Sequence, residues 1–494
     1  MPFTSPPPPG IYPARATYSK DELRAAYVGR SVEELRTPAF LVDRAKVEQN
    51  AKELIDAAKE AGVDVRVHVK THKTIEGALL QLGDSLSSII VSTLAEARYF
   101  ANSGLFQDIL YAVPLSPDKI QEVHQVSQRI EKFHVMVDND VIIDALERYA
   151  IAVGPTATSA VNPSSAVSQG RAALDPAKPM FRAFLKIDTG YGRAGVPSTT
   201  SNAISLASRL HRSAHICFSG LYSHSGHSYE AADVAGALAT AKEEARLTLA
   251  LAQELRSIGI TAPVASVGAT PSVKALLEMA GAGREAISEA RLGTVGDALM
   301  KEAGELANDV AASALPDDEQ DEKKHKGGSD QSAIGDAALV ENPTHNDFKL
   351  EVHLGNYIFL DIQQISGMPW PISRCAATIL SRVLSQYPHR NEVLIDAGAL
   401  ALSKDGPGAR GAKLYPGYGV LAGDYLAHRT VSRVSQEHGV VAGLSPEEIE
   451  AFLEIGTTVE IVPNHACLAA ANFEWYYIVE EGKVVDVWVP CRSW

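Results

Sequence analysis

Apolar residues in this chain come in short runs that alternate with helix-like stretches. SIIV (88–91), DILYAV (108–113), HVMV (134–137) and FRAFLKI (181–187) are each followed by a helix-like segment. HICFSGLYS (215–223), VASV (264–267) and EARL (289–292) continue the series. A repeated strand–helix order predicts a parallel sheet or barrel with helices outside. With about eight such units in roughly 250 residues, a (β/α)8 TIM barrel is the expected fold. Beyond residue 347 the texture changes. Strand-like runs at 350–353, 357–360, 375–384, 392–395, 458–462 and 475–479 are separated by Gly- and Pro-bearing turns, and 446–453 is the main helix-like stretch. That pattern predicts a β-rich C-terminal domain ending in VVDVWV (484–489).

Three segments do not read as core. Residues 1–16 are proline-rich, 157–179 are rich in Ser, Ala and Pro, and 304–346 carry DDEQDEKKHKGGSD. The expected organisation is therefore a tail and lead-in (1–30), a barrel (31–303) with a flexible insertion (157–179), a disordered acidic insertion (304–346) and the β-rich domain (347–494). The 494 residues suffice for two domains with a substantial core, and 46% are hydrophobic. No apolar run approaches the ~18 residues of a membrane span. The N-terminus lacks the basic-then-apolar order of a secretory signal. Four scattered cysteines, Cys217, Cys375, Cys467 and Cys491, do not make a disulfide framework, so a reducing, cytoplasmic setting is expected. The net charge of −15 argues against a nucleic-acid or anionic-membrane partner.

The chemistry-bearing residues cluster at predicted strand ends, where a TIM barrel places its reactive groups. In RVHVKTHK (66–73), Val65, Val67 and Val69 alternate with Arg66, His68 and Lys70. An amine at the end of a buried strand, beside other cations, is placed where its pKa falls, as Schiff-base formation requires. A basic strand end with solvated lysines is the competing reading. DTGYGR (188–193) closes a middle strand and YSHSGHSY (222–229) follows another. SVGATPS (266–272) has the form of a phosphate cradle ahead of a helix starting near Pro271, although such turns are commonly plain N-caps. In VPNHAC (462–467), an i, i+2 spacing in extended chain places His465 and Cys467 on one face as zinc-type ligands. Two donors are fewer than the three usual in catalytic zinc sites, and a packed histidine beside a buried thiol has the same pattern.

HVKTHKT (68–74), KIDTGYGRAG (186–195), YSHSGHSY (222–229), SVGATP (266–271), EVHLGNY (351–357), LIDAGALALSKD (394–405), SQEHG (435–439) and PNHAC (463–467) occur in this order. Together they resemble the eukaryotic-type D-serine dehydratases, in the alanine-racemase-like (fold-type III) group of pyridoxal-phosphate enzymes related to D-threonine aldolase. The resemblance runs from about Thr37 to the C-terminus. It implies a cofactor-binding barrel followed by a β-domain, a homodimer, and a small D-amino acid as substrate. It assigns the Schiff-base lysine to Lys70, cofactor contacts to Tyr222 and Tyr229, the phosphate site to Gly268 and Thr270, and zinc ligands to His465 and Cys467. Departures are modest: Leu354 stands where proline is common, and the chain ends VPCRSW where Gly-Trp is usual.

The implied activity is α,β-elimination of D-serine to pyruvate and ammonia, with pyridoxal 5'-phosphate and Zn2+ as cofactors and D-threonine as a further substrate. D-threonine aldolase is the nearest rival. Its metal motif tends to include an acidic residue, and Leu468 follows Cys467 here. A racemase needs a second acid/base that the sequence does not identify, and a non-catalytic cofactor carrier has no use for the β-domain.

Overall fold

The computed structural model describes residues 18–83, 87–154, 179–277, 348–406 apart from 367 and 369, 415–423, and 429–494 apart from 493. The tail (1–16), the insertions at 157–178 and 304–346, and the expected strand at 289–292 lie outside these residues. Eight parallel strands close the expected barrel. In ring order they are Asp64–His68, Ser88–Val91, Asp108–Pro114, Lys132–Val137, Phe181–Asp188, Ile216–Tyr222, Val264–Val267 and Lys349–Leu354. The last strand pairs with both Val264–Val267 and Asp64–His68, which completes the ring.

Helices start soon after the strands, and side-chain caps show why they begin where they do. Asp43, Thr74, Thr93, Asn139 and Asp233 each accept from a backbone N–H in the first turn of the helix that follows. Each cap satisfies a donor that the helix cannot, and is worth about 1 kcal/mol. The strand alternation also holds. Val65, Val67 and Val69 are buried in the large core between strands and helices. Arg66 points the other way, into the barrel.

A second sheet of nine strands stands beside the barrel. Two strands depart from the division expected at residues 303 and 347. Lys349–Leu354, read as the start of the β-rich region, is a barrel strand. Ala39–Asp43, expected on the barrel side, lies inside the second sheet, antiparallel to Ala377–Tyr387 and parallel to Tyr476–Glu480. Both misassignments have a physical origin. In Lys349–Leu354 the polar positions Glu351 and His353 face a polar barrel interior, so the alternation imitates a strand with one wet face. In Ala39–Asp43 the first four residues are buried, so the run contains no signal about its neighbours.

The barrel interior is unusually charged. Arg66 donates through Nε to both oxygens of Glu351 (3.0 and 3.1 Å) and through NH1 to Asp108 (2.5 Å). His134 Nε2 lies 3.4 Å from Asp108, and its Nδ1 bonds Ser219 Oγ (2.8 Å). Burial opposes ionisation of Asp108, but His134 and Arg66 more than offset it and hold this carboxyl well below the usual carboxylate range. Beside this network an apolar layer of Ile90, Leu110, Met136, Phe184 and Tyr222 fills the barrel.

Asp108→Asn leaves Arg66 with one anionic partner in a buried site, and is expected to cost about 3 kcal/mol at neutral pH in denaturant unfolding. Because the folded carboxyl is held below its unfolded value near 3.8, its stabilisation is present above that pH and lost as pH falls through the folded value. The gap between wild type and variant should therefore narrow in strong acid.

Candidate active site

The cavity at the C-terminal end of the barrel measures about 170 Å³ and is bounded by residues from both ends of the chain. Lys70 and His68 come from the loop and end of the first barrel strand, Tyr222 and Tyr229 from 222–229, Thr270 from the 268–270 turn, and His465 and Cys467 from the second region. Six of the seven residues singled out from the sequence thus line one space. Gly268 does not line it but shapes it from behind. At φ +140° a Cβ there would sit 2.7 Å from the His353 carbonyl oxygen, and the Gly268 carbonyl accepts from His224 Nδ1 (2.8 Å). A helical run begins at residue 270, next to this turn, and the start of a helix favours an anion.

The Lys70 loop is tightly built. Lys73, at φ 57°, donates its backbone N–H to Val69 O (2.8 Å) and pairs through Nζ with buried Glu96 (2.9 Å). Lys73 is thereby tied up in the loop, which leaves Lys70 as the lysine of this loop that borders the cavity. His72 is buried between Thr74 and Gln81 and serves the loop's structure.

His465 and Cys467 are brought together differently from the extended spacing read in the sequence. His465 is the extended N-cap residue of a one-turn helix, Ala466–Ala470, and Cys467 lies in that turn. Asp361, fully buried, accepts from Ala466 N (2.7 Å) and Asn356 Nδ2 (2.5 Å) and anchors the turn to the barrel loop. Asp405 Oδ2 lies 2.9 Å from His465 Nδ1, which fixes the ring and leaves Nε2 as the second ring nitrogen. Burial opposes charge on both members of the pair. The adjacent thiolate and Asp405 nevertheless raise His465 to about 11, and His465 with Lys70 lowers the Cys467 thiol. A metal bound here would displace the proton that Cys467 and Asp405 favour on His465, leaving a ring oriented by Asp405 beside a thiolate, a donor pair that suits zinc. Among the described residues no third His, Cys, Asp or Glu completes a cluster, so a metal held here keeps positions open to other ligands. Thr71 Oγ1 lies 3.1 Å from Cys467 Sγ and links the two halves directly.

His353 is the cavity residue that sequence reasoning missed, although EVHLGNY contains it. Its ring stacks on Tyr222 at 4.1 Å between centroids and 10° between planes. Ser266 Oγ donates to Glu351 (2.7 Å) and so accepts from His353 Nδ1–H (3.0 Å). Burial, with Lys186 and Arg66 nearby, pushes the His353 pKa well below its usual value, so the ring is neutral. Its Nε2 is then a buried lone pair without a protein partner. An acceptor of this kind on a flat wall, with Lys70 and the 268–270 turn bordering the same space, fits a planar heteroaromatic cofactor carrying a carbonyl and a phosphate. Arg193 and Tyr191 also line the cavity, with the guanidinium 5.0 Å from the Tyr191 ring centroid. His227 tilts against Tyr191, whereas His438 borders a separate cleft with Arg382 and Asp396 and takes no part in this site. Asp361 also caps the helix Ile362–Ile365 through Gln364 N, but its contact with the His465 turn, like that of Asp405, is made by the fold alone.

Comparison with known proteins shows the family to which the chain belongs. The model of the alanine racemase N-terminal domain matches residues 42–295, and that of a serine dehydratase domain matches 376–479. D-serine dehydratase of Schizosaccharomyces pombe is 30% identical over 499 aligned residues, covering 96% of this chain and 96% of that one. D-serine dehydratase of Dictyostelium discoideum is 29% identical, covering 94% of this chain and 98% of that one. Among solved structures, D-threo-3-hydroxyaspartate dehydratase from Delftia sp. HT23 superposes with a TM-score of 0.70 at 24% identity, over 94% of this chain and all of that one, and supports the fold. By barrel, second sheet and sequence alike, the chain belongs to the D-serine dehydratase family of alanine-racemase-like proteins.

Proposed function

We propose that this protein is a pyridoxal-phosphate- and zinc-dependent lyase that converts D-serine to pyruvate and ammonia by α,β-elimination. The observation that carries the reading is the convergence of Lys70 with His465 and Cys467 on one cavity, bridged by the Thr71–Cys467 contact. Similarity to D-serine dehydratases along nearly the whole chain supports the choice of substrate.

Pyridoxal phosphate bound through Lys70 supplies an electron sink that acidifies the substrate Cα–H. The Lys70 amine, at the cavity wall, is the group placed to take that proton. Tyr222 and His353, stacked on each other, would present a flat wall to the cofactor ring. Thr270, with the turn around Gly268 and the nearby Tyr229, holds the phosphate at the start of helix 270–277. Hydroxide is a poor leaving group at neutral pH; His465 and Cys467 would hold the zinc, which would supply Lewis acidity toward the β-hydroxyl. Asp405 keeps the imidazole oriented for this role. Leu468, with no acid beside Cys467, favours elimination over retro-aldol cleavage of D-threonine, which needs the β-hydroxyl deprotonated.

The reading extends to a cytoplasmic homodimer, on the family resemblance. Among the described residues no helix is long and apolar enough to cross a membrane.

Incubation of the purified protein with D-serine should yield pyruvate, and removal of metal by a chelator should abolish it. Glycine and acetaldehyde from D-threonine, without pyruvate from D-serine, would move the assignment to an aldolase. Lys70→Ala should lose the visible absorbance of the lysine-bound cofactor. His465→Ala and Cys467→Ala should keep that absorbance while turnover falls by more than about 100-fold.

A further inference from the structure

The last described residues of the chain touch both halves of the site. Cys491 donates its backbone N–H to Lys73 O (2.8 Å), in the loop that carries Lys70. One residue on, Arg492 NH2 donates to Ala470 O (3.0 Å) and to Phe473 O, at the end of the helix that carries Cys467. The Arg492 guanidinium also lies 5.8 Å from the centroid of the Tyr476 ring, whose hydroxyl donates to the same Ala470 oxygen (3.4 Å). Upstream, Val489 O accepts from Tyr99 OH (3.2 Å), which seats the segment on the barrel.

We infer that residues 489–492 act as a strap that fixes the Lys70 loop relative to the Cys467 helix, with Arg492 as its positioning residue. The helix Ala466–Ala470 is a single turn, so its last carbonyls have no partner within it. A guanidinium at that end supplies both the missing donors and the charge that a helix C-terminus favours. Asp361 holds the other end through Ala466 N–H, so the turn that presents Cys467 is clamped at both termini. On the barrel side the strap meets the loop at Lys73. Lys73 sits in the left-handed region, and the Cys491 N–H satisfies its carbonyl. Adjacent residues therefore set the distance between the amine and the metal donors, and misplacement by about 1 Å costs on the order of 100-fold in rate. The catalytic consequence rests on the function proposed above, whereas the strap itself does not.

The test uses the full-length holoenzyme, Arg492→Ala, Arg492→Lys and a chain ending at Pro490. Hydrogen exchange is followed in peptides spanning 69–74, 465–473 and, as a control, 234–257. Arg492→Ala should raise exchange in 465–473 by about tenfold or more, with 234–257 unchanged. The shortened chain should raise exchange in both 69–74 and 465–473. For D-serine, Arg492→Ala should lower kcat about tenfold with KM within about twofold, the visible cofactor band should remain, and Arg492→Lys should recover most of the loss. Unchanged exchange in 465–473 overturns the strap, as does equal acceleration in 234–257, which marks general destabilisation. If Arg492→Ala does not fold, the shortened chain and Arg492→Lys decide by the same exchange criterion. Absence of any D-serine turnover in the wild type would sink the proposed function while leaving the exchange result to judge the strap.

Discussion

The structure depends on one constraint: two reactive turns from opposite ends of the chain must be held within bonding distance of the same small cavity. The Thr71 hydroxyl, 3.1 Å from the Cys467 sulfur, joins the two turns directly. Neither turn is rigid by itself. The Lys70 loop needs Glu96 and a carbonyl partner for Lys73, and the Cys467 helix is a single turn. Buried polar groups, Asp361 above all, replace the rigidity that longer elements would supply.

A second constraint is electrostatic. The cavity is bordered by Lys70, His68, His224 and His353, with Arg66 and Lys186 close behind. Burial first, and these neighbouring cations next, push His68, His224 and His353 well below the usual histidine range. The histidines therefore act as neutral, oriented hydrogen-bonding groups, and the positive charge stays on Arg66, where Glu351 and Asp108 hold it. The Arg193 guanidinium, which lines the cavity, is the group left to favour an anionic ligand such as a phosphate or an amino-acid carboxylate.

Much of this was legible in the sequence. The strand–helix alternation foretold the barrel because most barrel strands are short apolar runs followed by a helix. Lys70, Tyr222, Thr270, His465 and Cys467 stood out because they sit at strand ends or in a donor pair. What escaped was non-local. Glu351 and His353 looked like the wet face of an ordinary strand, since a polar barrel interior and solvent impose the same period-two pattern. His465 and Cys467 reached one site through a helix N-terminus rather than an extended strand, a difference that the dipeptide spacing cannot encode. Asp361 and Asp405 reach the site through partners more than fifty residues away, Ala466 and His465.

The strand Ala39–Asp43 has a temporal consequence. It is completed on one side by Ala377–Tyr387 and on the other by Tyr476–Glu480, so this early segment waits for partners made some four hundred residues later. At ribosomal rates of about 5–20 residues per second, that wait is on the order of 20–90 s. During synthesis an apolar ribbon with open edges is left without its sheet until these partners are made. Order of manufacture and order of assembly are therefore decoupled, and the open edges are exposed to mispairing throughout that interval.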